Sequence, residues 1–344
     1  MKRNMLRVLR RLVLVSMVPV VLLGLVGYLA DTRNLKEIGA IVLAATTVIP
    51  PNNPFQVAIL RWYPANQTTS FGVGNNPTGV AFDGANIWVT NGSDATVTKL
   101  QANDGTVLGT FAVGSGPAGV AFDGANIWVT NFNDSTVTKL RASDGLTLGT
   151  FGAGIGPWGV AFDGANIWVA NRGLESNGNT VTKLRASDGS TLGTFTVGSQ
   201  PIGVAFDGAN IWVANSGSGN VTKLKASSGA VLGTFAAGFS PYGVAFDGAN
   251  IWVTDQQQSV IKLKASNGSN LGTFSTVGFT PEGVAFDGAN IWVACFSGSV
   301  TKLRASDGSN LANFPVATNP VGVAFDGASI WVTNNLGATT VSKF

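Results

Sequence analysis

Histidine is absent from these 344 residues, and there is one cysteine, Cys295. The first absence removes the commonest general base and the commonest transition-metal ligand from any proposed chemistry. The second excludes an internal disulfide framework. Charge is also scarce, at 11% of residues, while 45% are hydrophobic. A chain of that balance buries enough apolar surface to offset its conformational entropy, so it is not intrinsically disordered. Its 45 glycines follow no three-residue period, which excludes collagen.

A basic footprint is missing as well. The formal charge is +3, but Lys2, Arg3, Arg7, Arg10, Arg11, Arg33 and Lys36 all fall in the first 50 residues, against Asp31 and Glu37. The remainder holds 14 basic and 16 acidic residues. Nucleic acid is therefore not an expected partner of the main body.

Residues 1–11, MKRNMLRVLRR, carry five positive charges, and residues 12–30 carry none. As a helix, 19 residues reach roughly 28 Å, close to the hydrocarbon thickness of a bilayer. Segment 12–30 is read as a transmembrane anchor or signal segment behind a basic cytoplasmic N-terminus. The charge asymmetry then places the rest outside the cytoplasm. The expected location is the cell membrane, single-pass, with the body periplasmic or extracellular. A cleaved signal peptide is the alternative, and the protein would then be secreted. Residues 31–56 read as a linker.

What fills the rest is repetition. GVAFDGANIWV occurs at 79–89, 119–129, 159–169, 203–213, 243–253 and 283–293, with GVAFDGASIWV at 322–332. Within one unit, apolar residues alternate in GVAF, NIWV, TVTKL and LGTF, the period of half-buried strands. Asp-Gly turns separate them. Each unit thus reads as a four-stranded antiparallel meander, A-B-C-D. Opening prolines at 77, 117, 157, 201, 241, 281 and 320 are spaced by 40, 40, 44, 40, 40 and 39 residues. Seven such units predict an all-β, seven-bladed β-propeller over 57–344. Trp88, Trp128, Trp168, Trp212, Trp252, Trp292 and Trp331 share one place on strand B, as expected for packing between blades. The seven aspartates of AFDG precede turn glycines, the ordinary place for Asp in a hairpin.

STVTKLRASDGLTLGTF and GPWGVAFDGANIWVAN resemble the YVTN-repeat family of β-propellers, with IWVTN or IWVAN at its signature tetrapeptide. The PxGVAFD and NIWV portions are also similar to NHL-type repeats. The resemblance covers roughly residues 57–344 and implies a propeller that binds a partner. It also implies an alternative, because some related propellers are lactonases or antibiotic lyases. Those use metal-bound carboxylates or a catalytic histidine, and this chain has no histidine to inherit that role.

The last unit stops at strand C, TTVSKF (339–344), whereas TSFGVG (69–74) matches the strand D segment GTFAVG (109–114). The N-terminal strand is expected to complete the seventh blade and remove the open edge. VAILRW (57–62) also aligns with strand C. The reading here gives the place to 340–344, with 57–62 as the alternative.

Differences between copies gather in the D–A loop, around each opening proline, and in the B–C loop after IWVxN. In an up-and-down blade both emerge on one face. The residues after the prolines, Thr78, Ala118, Trp158, Ile202, Tyr242, Glu282 and Val321, are expected to ring the central channel. Ile155, Phe239 and Phe279 lie nearby. The B–C loops add Asp94, Phe132, Asp134, Arg172, Glu175, Asp255, Gln256, Gln257, Gln258 and Phe296. The 44-residue spacing comes from NRGLESNGNT (171–180). Aromatics beside a few polar groups describe a recognition surface. Trp158, Ile202, Tyr242, Glu282, Phe239, Phe279, Arg172 and Glu175 are the expected ligand-binding set. The expected ligand is an unknown protein, peptide or glycan, with no cofactor, metal or catalytic residue. A structural repeat with no specific ligand is the remaining alternative. Cys295, which replaces the Asn or Asp ending strand B elsewhere, reads as an ordinary exposed or half-buried thiol.

Overall fold

The computed structural model describes residues 69–175 and 177–344, and the strands lie in the unit Gln67–Phe344. Seven four-stranded antiparallel sheets follow one another around a ring. In blade 1 strand A is Pro77–Phe82, B is Asn86–Asn91, C is Thr96–Gln101 and D is Val107–Ala112. Blade 7 takes A (Pro320–Phe325), B (Ile330–Asn334) and C (Thr340–Lys343) from the C-terminal end, and D (Thr69–Gly72) from the other. The closing register runs from Thr69 opposite Lys343 to Gly72 opposite Thr340. The expected closure holds, and 340–343 occupy the strand C place. The expectations for 1–11, 12–30, 31–56 and 57–62 lie outside the described residues. Among the described residues no helix is long and apolar enough to cross a membrane.

The innermost strands approach closely, and glycine decides how closely. A Cβ on Gly79 would collide with the carbonyl of Ala118 in the next blade; Gly119 meets Trp158, Gly203 meets Tyr242, and Gly322 closes the circle on Thr78. Backbone contact of this kind requires a residue without a side chain. Strand B adds a hydrogen bond across the same seam. Thr90 Oγ1 donates to the Ala118 carbonyl at 2.8 Å, and Thr333 Oγ1 to that of Thr78 at 2.8 Å, 255 residues away. Thr130 and Thr254 do likewise. Ala170, Ala214 and Ala294 stand at this position in blades 3, 4 and 6 and have no hydroxyl to give.

Further out, each tryptophan enters the seam. Trp88 packs with Ile127, Val129 and Leu140 of blade 2, and six of the seven indoles are fully buried. A buried indole must also place its N–H. Trp88 Nε1 donates to Asp83 Oδ2 at 2.8 Å, while Asp83 Oδ1 accepts from the Ala85 and Asn86 amides. The aspartates therefore fix both the turn and the indole. Partial burial pushes these carboxyls up, but the donors from Trp, Asn and backbone outweigh it. Asp83, Asp123, Asp163, Asp207, Asp247 and Asp287 are held below the usual carboxylate range.

The strand C lysine covers the other side of the ring. Lys99 Nζ lies 5.1 Å from the Trp88 centroid and donates to the Ala142 carbonyl of the next blade's C–D turn at 2.7 Å. Lys139, Lys183, Lys223, Lys262 and Lys343 repeat this. Lys302 differs, because blade 7 has no C–D turn to offer the carbonyl: its strands C and D come from opposite ends of the chain. Phe344 fills that corner, with its ring 6.2 Å from Trp292 and 5.4 Å from Phe314.

Candidate functional site

Both variable loops emerge on one face, and they are tied to each other. In blade 1 Asn91 Oδ1 accepts from the Gly74 amide at 3.0 Å, and Asp94 Oδ2 accepts from the Asn75 amide at 2.7 Å. Asp134 holds the Ser115 amide in the same way. Asp255 holds the amides of Phe239 and Ser240. This corrects one part of the sequence reading. Asp94, Asp134 and Asp255 are latches that satisfy D–A loop amides, not groups awaiting a ligand. Cys295 occupies the same latch position in blade 6 and is fully buried, contrary to the exposed or half-buried thiol expected; burial pushes its pKa up. The Phe279 amide there turns to Ser297 Oγ at 2.8 Å.

Each strand A begins with a bulge. Pro77 faces Asn91 but Val80 faces Val89, so strand A carries one extra residue just after the proline, and all seven blades repeat this. A bulge re-aims the neighbouring side chain. A second ring stands beside the post-proline one, formed by the residue that follows strand B. The amides of Gly92, Phe132, Arg172, Ser216, Gln256, Phe296 and Asn335 donate to Asn76, Gly116, Gly156, Gln200, Ser240, Thr280 and Asn319. The sequence reading named Phe132, Arg172, Gln256 and Phe296 as members of the loops. It did not single out their common position, which was legible in the fixed offset after IWVxN.

Side chains of the two rings converge between blades 2 and 6. Phe132 meets Trp158 edge-on, with centroids 5.4 Å apart at 88°. The Arg172 guanidinium stacks on Trp158 at 5.0 Å. Trp158 of blade 3 also neighbours the Tyr242 hydroxyl of blade 5. Gln256 Nε2 approaches Glu282 Oε1 at 3.4 Å, and Ser240 Oγ donates to Gln256 Oε1 at 3.1 Å. Trp158, Arg172, Tyr242 and Glu282 of the expected set therefore come together, and Gln256 and Phe132 join them.

The remaining members of that set do not. Ile202 is buried, only 3% exposed. Phe239 and Phe279 are 73% and 61% exposed on the D–A loops of blades 5 and 6. Glu175 stands exposed in the turn of the blade 3 insertion.

The electrostatics of the cluster are unusual for this molecule. Glu282 is buried, and burial pushes its carboxyl up to about 7 against the pull of Gln256 and Arg172. Burial and the neighbouring Glu282 push the Tyr242 hydroxyl above the ordinary tyrosine range. Among the described residues, Arg172 Nε is buried without a hydrogen-bond partner. No group of three or more His, Cys, Asp or Glu side chains gathers as a metal site among the described residues.

A family model described as outer membrane protein assembly factor BamB, of the PQQ_2 repeat type, matches residues 133–341, more than half of the chain. The chain belongs to this family. The BamB-type repeat agrees with the sequence reading at the level of a β-propeller repeat family. No curated protein matches the chain in sequence. Among solved structures, hydrazine synthase of Kuenenia stuttgartiensis is similar with a TM-score of 0.69 and 18% identity, over 78% of this chain and 95% of that one. At that identity the likeness is one of fold.

Proposed function

We propose that this protein is a membrane-tethered, extracytoplasmic propeller that binds a partner at its D–A/B–C loop face. The observation that carries this reading is the convergence of Trp158, Arg172, Tyr242, Gln256 and Glu282 from three blades. Buried polar groups are normally satisfied within the protein. The opposite face follows that rule blade after blade, whereas this cluster keeps a buried guanidinium nitrogen without a partner among the described residues and a buried carboxyl with one long contact there. The tether rests on segment 12–30 with its five preceding charges. The family description, an outer membrane protein assembly factor, supports an adaptor role outside the cytoplasm. The YVTN-like signature IWVTN or IWVAN is consistent with the same role.

The test is capture from an envelope extract with the full chain and with a Trp158→Ala/Tyr242→Ala variant. The expected result is a set of partners retained by the first and lost by the second at unchanged thermal stability. Identical captured sets overturn the reading and favour a repeat with no selected ligand. A second reading, a lactonase- or lyase-like enzyme, has one observation in its favour: Glu282 titrates near neutrality beside Tyr242 and Arg172, as a general acid–base does. Hydrolysis of lactone substrates abolished by Glu282→Gln is the result that would install it.

A further inference from the structure

The loop face is short of positive charge. Arg172 is the single Lys or Arg in all the D–A and B–C loops that follow residue 72. Its guanidinium is stacked on Trp158 rather than ion-paired, and its buried Nε has no partner among the described residues. Around it the site has a surplus of donors. The Tyr242 hydroxyl and the Trp158 indole N–H stand beside it, and each can donate. Among the described residues of the cluster the one acid is Glu282, whose Oε1 faces Gln256 Nε2 at 3.4 Å. A cation entering here meets Arg172 first and is repelled. An anion meets a guanidinium placed over an indole, and a guanidinium fork recognises planar oxyanions.

One fixed charge suits a monoanion. A phosphate group carries nearly two negative charges and ordinarily draws clustered basic residues, and this face has no second one. Beyond the cluster, Phe239 and Phe279 stand exposed on neighbouring loops, each with its amide already tied down. Exposed aromatics on latched loops offer apolar contact at low ordering cost.

We propose that the channel mouth binds the carboxylate of an acidic residue in a peptide, anchored by Arg172 over Trp158, with the apolar residues beside that acid lying on Phe239 and Phe279. This rests on the reading of the loop face as a binding surface and names the chemistry it selects. Three groups shape its pH response: Glu282 itself, with Arg172 and Tyr242 facing it. Protonation of Glu282 removes a negative charge facing the anchor, so binding weakens as pH rises through neutrality.

The experiment is selection from a random hexapeptide bead library by the full-length chain, followed by fluorescence anisotropy on enriched sequences and their twins. Enriched peptides are expected to share an Asp or Glu next to an apolar residue. Replacing that acid by its amide lowers affinity at least tenfold. Arg172→Met in the protein does the same without moving the unfolding temperature, and Arg172→Lys keeps part of the affinity. Glu282→Gln flattens the dependence between pH 6 and 8. Enrichment of basic peptides overturns the inference, as does indifference to the acid or to Arg172→Met; either leaves the loop face standing if Phe239→Ala/Phe279→Ala still abolishes capture. No enrichment at all overturns the inference, while the binding role on which it rests falls only if the envelope capture is also indifferent to Trp158→Ala/Tyr242→Ala.

Discussion

The two faces of the disk are built from the same seven copies and obey opposite rules. On the A–B/C–D face every blade repeats one arrangement: Asp accepts from the turn amides and the indole, and Lys reaches the next blade's carbonyl wherever a C–D turn exists. On the D–A/B–C face the backbone latches recur, but the side chains above them differ from blade to blade. Repetition marks where packing between sheets leaves no choice. Variation marks where the backbone is already satisfied and a side chain is free to serve something else. The Glu282 cluster lies on the second kind of ground.

The largest effect is expected on the repeated side. Trp212→Ala removes a fully buried indole from the seam between blades 4 and 5. It should cost about 3–5 kcal/mol, read as a fall in the midpoint of urea unfolding. A comparable loss from Trp158→Ala would erase the distinction between the faces, since only the Trp158 backbone serves a seam and its side chain is half-buried.

Next comes Glu282. A carboxyl with a folded value near 7 against an unfolded value of 4.5 binds more protons folded than unfolded between those limits, so folding stability falls as pH rises through that window. The loss is about 3 kcal/mol, complete above pH 7. Glu282→Gln should therefore stabilise the protein at pH 8 and change little at pH 5, measured as unfolding midpoints at the two values. A destabilised Gln variant at pH 8 would mean that the acid serves the fold, as on the other face.

Six AFDG aspartates, Asp83, Asp123, Asp163, Asp207, Asp247 and Asp287, give the opposite sign. Their folded values lie below the unfolded 3.8, so their contribution is present above pH 3.8 and is lost as pH falls through the folded values. Asp207→Ala should cost about 2 kcal/mol at pH 7, since the Trp212 N–H and two turn amides lose a charged acceptor. The variant should also lose stability less steeply on acidification below pH 4 than the parent.

The smallest effect sharpens the seam. Ala170→Thr supplies blade 3 with the hydroxyl that blades 1, 2, 5 and 7 aim at the next blade's post-proline carbonyl. The expected gain is about 1 kcal/mol in chemical unfolding. No gain would show that the Ile202 carbonyl is already served in blade 3's seam.

Blade number, strand order, the seam tryptophans and the borrowed closing strand were all legible, because each is a local pattern copied seven times. A two-residue alternation, an Asp-Gly turn and a proline every 40 residues act within one unit, and the ring follows from stacking units that cannot bury their faces alone. The variable face was legible by comparing the copies. The cluster was legible only as a list of members. Nothing in the spacing told that Asp94 would spend its carboxylate on a loop amide while Arg172 Nε found no partner among the described residues, or that Ile202 would be covered while Tyr242, in the same register, kept part of its surface.

The sequence by itself thus determined the architecture, since a repeated unit with fixed turns and a fixed indole has one way to close. The tertiary structure alone decided the chemistry at the mouth. Trp158, Arg172, Tyr242, Gln256 and Glu282 span 125 residues and meet because the channel brings successive blades together. Whether a charge there is paired or exposed depends on distances that no single repeat contains.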